Sequence, residues 1–239
     1  RITELPAALF SLPNPLQEGF DLGGNPVSAA GRERIKIHFQ QTRRDFGIFA
    51  AQADIQRLRV LYPRPDQEEA TEFIYRLPGT LAEGRNELAR LETEYDTLRN
   101  ELAAWTADIP ALHPASGEPF TPRQLTIEHA IRDEFKQRVE RCWRRETELD
   151  DFTQELEPSY ELTLTTIITG DLPALHADFS HVSVLYMHSD AGLTSGAEGF
   201  LQCFANLKSL TLRDFALHEV PEAVFRMGRL TVLALSECD

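Results

Sequence analysis

The sequence predicts an α+β protein in which short parallel strands stack as a repeat solenoid, interrupted by a mostly α-helical insertion with a long antiparallel helical hairpin. Three observations predict it. Leu162, Leu185, Leu210 and Leu233 follow one another at intervals of 23, 25 and 23 residues, with Leu164, Met187, Leu212 and Leu235 in step behind them. The phrase Ile2-Thr-Glu-Leu5-Pro6-Ala-Ala-Leu9-Phe10 returns 215 residues later as Leu217-His-Glu-Val220-Pro221-Glu-Ala-Val224-Phe225. Between the two copies the apolar residues change to a helical period.

Leu207-x-x-Leu210-x-Leu212 and Leu230-x-x-Leu233-x-Leu235 are leucine-rich-repeat phrases, and the intervals lie in the range of that repeat, one strand and one returning segment per unit. A single unit cannot bury its own apolar face, so neighbours must stack. The turn position, usually Asn or Cys, falls on Ile167, Asp190, Phe215 and Cys238, and Cys238 alone fits. At the other end, Phe20-Asp-Leu22-Gly-Gly-Asn25-Pro26-Val27 reads as a strand and turn with a proper Asn. The organisation expected is residues 1–27 as the end of a first repeat block, 28–157 as the helical insertion and 158–239 as a second block. Arg1 falls inside a repeat, so the chain is expected to be part of a longer protein.

The insertion is read helix by helix. A first helix follows the Asn25-Pro26 turn from Ser28. A second, marked by Ile55, Leu58 and Leu61, stops before Pro63, and Asp66 can cap a third whose apolar side is Phe73, Ile74 and Leu77. Thr80-Leu-Ala-Glu83 is a capping box opening a long helix. Along it Leu81, Leu88, Leu91, Tyr95, Leu98, Leu102 and Trp105 step by 7, 3, 4, 3, 4 and 3, one narrow seam suited to a partner helix. Thr121-Pro122-Arg-Gln124 opens another, with Ile127, Ile131, Phe135, Val139, Cys142 and Trp143 on its apolar side. These last two helices, about 80–107 and 121–147, form the expected hairpin.

Charge is uneven along the chain. The total of −14 divides into −2 for residues 1–27, −2 for 28–148 and −10 for 149–239. That field argues against nucleic acid and against an anionic membrane, and it complements a basic protein surface. No apolar run approaches the roughly 20 residues that span a bilayer, and no signal segment is visible. Cys142, Cys203 and Cys238 are too few for a disulfide framework.

Leu77-Pro-Gly-Thr-Leu-Ala-Glu-Gly84, Leu91-Glu-Thr-Glu-Tyr95-Asp-Thr-Leu98 with Leu102-Ala-Ala-Trp105, Arg141-Cys-Trp-Arg-Arg-Glu146 and Asp171-Leu-Pro-Ala-Leu-His-Ala-Asp-Phe-Ser-His-Val182 resemble the central region of large pseudomonad-type proteins. Those carry leucine-rich repeats followed by a C-terminal "novel E3 ligase" domain, akin to the Shigella and Salmonella effector ubiquitin ligases. The resemblance covers nearly the whole chain. It implies a bacterial protein secreted into host cytoplasm, and a parent enzyme whose acyl-carrying cysteine lies in a Cys-x-Asp motif. None of the three cysteines here stands in such a motif, so the motif is expected beyond Asp239.

No catalytic site is read in these residues. Cys142 lies among Arg141, Arg144 and Arg145 but on an apolar helix side, the place of a packed thiol. The histidines, among them His176 and His181, lack metal-ligand spacing, and no phosphate-binding glycine motif is present, so no cofactor or metal is expected. The expected activity is protein recognition. Alternate strand residues face away from the core, and of these Tyr186, His188, Arg213, Thr211 and Thr163 are the candidate contact residues. The partner would be a host or substrate protein, or the parent's own ligase domain. The alternative function is an architectural, autoinhibitory segment holding the parent's toxin or ligase domains in place.

Overall fold

Short polar side chains set most of the helix starts. The computed structural model describes residues 1–150, 158–190 and 192–238, and the chain divides into two units, Arg1–Thr93 and Glu94–Asp239. The first unit holds α1 (Asn14–Glu18), α2 (Ala29–Thr42), α3 (Gln52–Leu61), α4 (Gln67–Arg76) and the beginning of α5 (Leu81–Ala107). Ser28 Oγ accepts from the Gly31 amide at 3.1 Å, and Asp66 Oδ1 accepts from Glu68 and Glu69, each at 2.9 Å. The Thr80–Glu83 box is closed in both directions, at 3.2 and 2.7 Å. These caps act on amides that a helix leaves unpaired at its start.

On α4 the expected apolar side is altered. Phe73 is only half-buried, while Tyr75 is wholly buried with its hydroxyl donating to the Ile48 carbonyl at 3.1 Å. An aromatic body with one satisfied polar tip can lie in a core. Lys36 is fully buried as well. Its amine donates to the Ile74 and Leu77 carbonyls at the end of α4, where Gln40 also donates to Leu77 at 3.0 Å. Burial pulls the amine's pKa down, against the opposing pull of Glu33 and Glu83.

Residues 19–23, expected as the first block's strand, are not part of any strand. The Leu22 amide finds the Phe46 carbonyl at 2.8 Å, and Asp21 folds onto the Gly23 amide at 2.7 Å. Asn25 does what the turn position demands. Its side chain accepts from the Ile2 amide and donates to the Leu22 carbonyl, both at 2.9 Å.

The second unit contains the rest of α5, α6 (Pro122–Trp143), β1 (Tyr160–Leu164), β2 (Gly170–Asp171), β3 (Val182–His188), β4 (Thr194–Ser195), α7 (Glu198–Leu201), β5 (Ser209–Arg213) and β6 (Val232–Ser236). The long strands form a parallel sheet in the order β1-β3-β5-β6, and β2 pairs with β4 in a second, two-stranded parallel sheet. The leucine intervals are its register: Leu162, Leu185, Leu210 and Leu233 lie side by side, as do Leu164, Met187, Leu212 and Leu235. Mixed helical and parallel-strand structure is therefore present as the sequence predicts.

At the first turn the buried place belongs to Ile168, at 1% exposure, rather than to Ile167, at 36%. Hydroxyls replace the missing Asn there: Ser189 Oγ meets Thr194 Oγ1 at 2.5 Å, and Thr194 donates to the Ile168 carbonyl at 2.7 Å.

α6 runs antiparallel to the second half of α5. Tyr95 stacks on Trp143 at 5.0 Å, and ten residues later Trp105 meets Phe135, also at 5.0 Å. Leu98 and Leu102 of the seam are completely buried. The N-terminal half of α6 departs from the expected face. Ile127 is 50% exposed, and the buried positions are Glu128 and Arg132. Arg132 Nε pairs with Glu128 at 3.2 Å, and its other nitrogens donate to the carbonyls of Trp105, Asp108 and Thr169 at 2.6, 2.9 and 2.9 Å. Glu128 accepts in turn from the Thr169 amide at 3.0 Å. Three backbone carbonyls need donors at this place, and an isoleucine has none to offer.

The free side of β1 is covered. Residues 148–150 run antiparallel along it, with Asp150 donating to Ser159 and Glu161 donating to Glu148, both at 2.8 Å, and Arg138 of α6 donates to the Thr163 carbonyl at 3.2 Å. Cys142 and Cys203 are buried, and burial pushes both thiols up to about 12. Thiolate is the reactive form. Iodoacetamide at pH 8 is therefore expected to label Cys238 alone in the native chain, and all three cysteines in urea. Native labelling of Cys142, read by peptide mass mapping, would contradict its place in the core.

Candidate functional site

Strand pleating selects the exposed face. Along β3 the residues Val182, Leu185 and Met187 are buried while Val184, Tyr186 and His188 alternate outward, and β5 repeats the alternation with Ser209, Thr211 and Arg213. Because the register is unbroken from β3 to β6, these side chains form rows across the sheet. One row is Glu161, Val184, Ser209 and Val232. The next is Thr163, Tyr186, Thr211 and Ala234, and the last is His188, Arg213 and Ser236. All five candidate contact residues thus share one face, with Tyr186 the one large side chain of the middle row.

The last row is an ionic chain that the sequence reading missed. His188 Nε2 meets Asp214 Oδ2 at 2.9 Å, Arg213 Nε lies 3.4 Å from the same oxygen, and Arg213 reaches Glu237 at 2.8 Å. Side-chain hydrogen bonding to Glu237 is the main reason the Arg213 pKa is raised. Asp214 and Glu237 follow their strands 23 residues apart, both with left-handed backbone at φ 59° and 56°. That repeated acid at a fixed place after the strand is the signal by which the chain could have been found. The pairs are solvent-exposed, so they fix orientation more than they add stability.

Two histidines outside this face, His176 and His181, serve the backbone and a neighbouring side chain. His176 sits on Glu101, with Nδ1 2.5 Å from one carboxylate oxygen and its amide donating to the other at 3.1 Å. His181 Nε2 donates to the Cys142 carbonyl at 2.8 Å. Burial and the charge of Arg145 hold its pKa down at about 4, so the ring is neutral. Among the described residues no cluster of three or more His, Cys, Asp or Glu side chains is placed to hold a metal ion, and no helix is long and apolar enough to cross a membrane.

The face presents one aromatic side chain, hydroxyls and a fixed ionic row. No family model matches the chain, and neither the curated proteins nor the solved structures searched contain a match to it.

Proposed function

We propose that the parallel stack is a leucine-rich-repeat solenoid and that its exposed sheet face is a protein-recognition surface, part of a bacterial effector-like ubiquitin ligase. The observation that carries the recognition reading is the in-register face itself. Thr163, Tyr186 and Thr211 form a low, hydroxyl-rich row around one aromatic, beside the His188–Asp214–Arg213–Glu237 chain. Tyrosine and arginine are residue types that anchor interfaces. The acidity of residues 149–239 favours a basic partner surface. The ligase assignment rests on the resemblance of the helical phrases alone, with transfer chemistry supplied by a domain outside these residues.

A second reading has its own support. α6 and residues 148–150 lie along the free side of β1, fastened by Arg138 and by the buried Arg132–Glu128 node. In that reading the helical pair is an architectural end piece that would hold the parent's toxin or ligase domains. Host-protein capture separates the two. Tyr186→Ala combined with His188→Glu and Arg213→Glu is expected to lower capture at least about tenfold if the sheet face binds, equivalent to roughly 1.4 kcal/mol. Undiminished capture by the folded triple variant would sink the recognition reading.

A further inference from the structure

We propose that His38 is an acid-operated latch of the first unit: taking up a proton on its ring releases the turn at residues 43–47 together with the segment 14–22 that the turn carries. His38 lies on α2 at 7% exposure, and its Nε2 is buried without a hydrogen-bond partner. Phe46 stacks on the ring at 5.2 Å with 13° between the planes, and Phe10 meets it edge-on at 5.4 Å. Phe10 and Phe46 also touch each other, at 6.0 Å. A neutral imidazole suits this seat. An imidazolium does not, because a buried charge without a partner is costly.

The charged groups on the surrounding elements do not supply that partner. Arg34 of α2 lies over the Phe10 ring at 4.9 Å, and Arg43 over Phe39 at 5.8 Å. Arg44 donates to Glu18 at 2.7 Å and to the Asn14 carbonyl at 2.8 Å. Asp45 accepts from the Gly47 amide at 2.9 Å and Asp21 from the Gly23 amide at 2.7 Å. Cations thus surround the ring, and the three acids are engaged with other groups. Burial lowers the His38 pKa, and the charge of Arg44 lowers it further.

The turn that rests on this ring is strained. Arg43, Phe46 and Gly47 have left-handed backbone, at φ 62°, 55° and 71°. For a bulky residue such as Phe46 that conformation persists only where packing imposes it, and His38 and Phe10 are the rings packed on it. The turn in its place fastens the chain before it, through Arg44 to Asn14 and Glu18 and through the Leu22 amide, which donates to the Phe46 carbonyl at 2.8 Å. Gln17 in that segment is 5% exposed, and its Oε1 is a second buried atom without a partner. Opening returns the His38 ring to its ordinary pKa of 6.5, above that of the closed form. The open form therefore binds more protons. The stability contributed by the seated neutral ring is fully present above that pH and is lost as pH falls from it toward the lowered value.

The test is hydrogen exchange of the full chain at about pH 7.5 and about pH 5, read as protection factors so that the intrinsic pH dependence of exchange cancels. Protection of residues 14–22 and 43–47 is expected to fall at least about threefold at the lower pH, the effect of half a pKa unit between open and closed forms. α3 is expected to keep its protection. In His38→Phe, which retains a ring and cannot charge, the fall is expected to vanish. The His38 ring signal in a proton NMR titration, assigned by its loss in that variant, is expected to titrate below 6.5. Equal protection at both pH values, a fall shared by α3 or by His38→Phe, or a ring that titrates at or above 6.5 would each overturn the latch. If His38→Phe does not fold, His38→Gln, also without a charge, decides by the same comparison.

Discussion

Replacing Arg132 by alanine is expected to destabilise the second unit by about 3–5 kcal/mol, the cost of breaking a buried ion pair by removing one partner. The side chain is 1% exposed and serves Glu128 together with three backbone carbonyls. Its loss would leave the Glu128 carboxylate buried without its cation and the Trp105, Asp108 and Thr169 carbonyls short of a donor. The measurement is the urea midpoint, with near-ultraviolet dichroism as a local reporter, because the guanidinium lies 4.6 Å above the Trp105 ring. Arg132→Met paired with Glu128→Leu is expected to recover part of the loss, since the stranded charge goes while the carbonyls stay unserved. A loss below about 1 kcal/mol for Arg132→Ala would place the node in a solvent-like setting.

Phe135→Ala is expected to cost a similar amount, about 3–5 kcal/mol, through lost burial and the cavity left behind. Phe135 is completely buried, with Trp105 of α5 at 5.0 Å on one side and Phe200 of α7 at 5.6 Å on the other. Phe200 continues the ring chain to Phe204 at 5.1 Å and Phe204 to Phe179 at 5.0 Å. Helices α5, α6 and α7 and the segments that lead into β3 and β5 therefore share one core. Thermal melts followed by Trp fluorescence and by far-ultraviolet dichroism are expected to fall together in the variant. A melt in which the strand signal keeps its original midpoint would mean that helices and strands are stabilised separately.

What could be read from the sequence follows from how local each signal is. The caps at Asp66, Thr80 and Thr121 are decided within four residues, and all of them close as expected; Ser28, expected only as the start of a helix, caps it as well. The strand register was equally legible, because a fixed interval between leucines sets which residues lie side by side. The buried face of α6 was not. Ile127 and Ile131 stand one position before Glu128 and Arg132, a rotation of roughly 100° on a helix. Apolar character alone favours the isoleucines. The deciding fact is that carbonyls of residues 105, 108 and 169 converge on one spot, and that is known only once distant segments have met. Likewise, the strand expected at residues 19–23 needed a neighbour, and Phe46 supplies only one hydrogen bond to it. On the candidate face, the five residues were legible from alternation, while their acidic companions Asp214 and Glu237 lay one step past each strand.

The burial of Lys36 bears on how this surface can be chemically addressed. The 24 cationic residues include just three lysines, Lys36, Lys136 and Lys208. Lys36 is enclosed with its amine turned onto helix-end carbonyls, so Lys136 and Lys208, both partly exposed, are the lysine amines within reach of a reagent. Arginine keeps its charge and is a poor acyl acceptor. Biotinylation, amine cross-linking or isopeptide conjugation at lysine would therefore report on two points of the second unit, Lys136 on α6 and Lys208 at the entry to β5, and leave the lysine of the first unit unmarked.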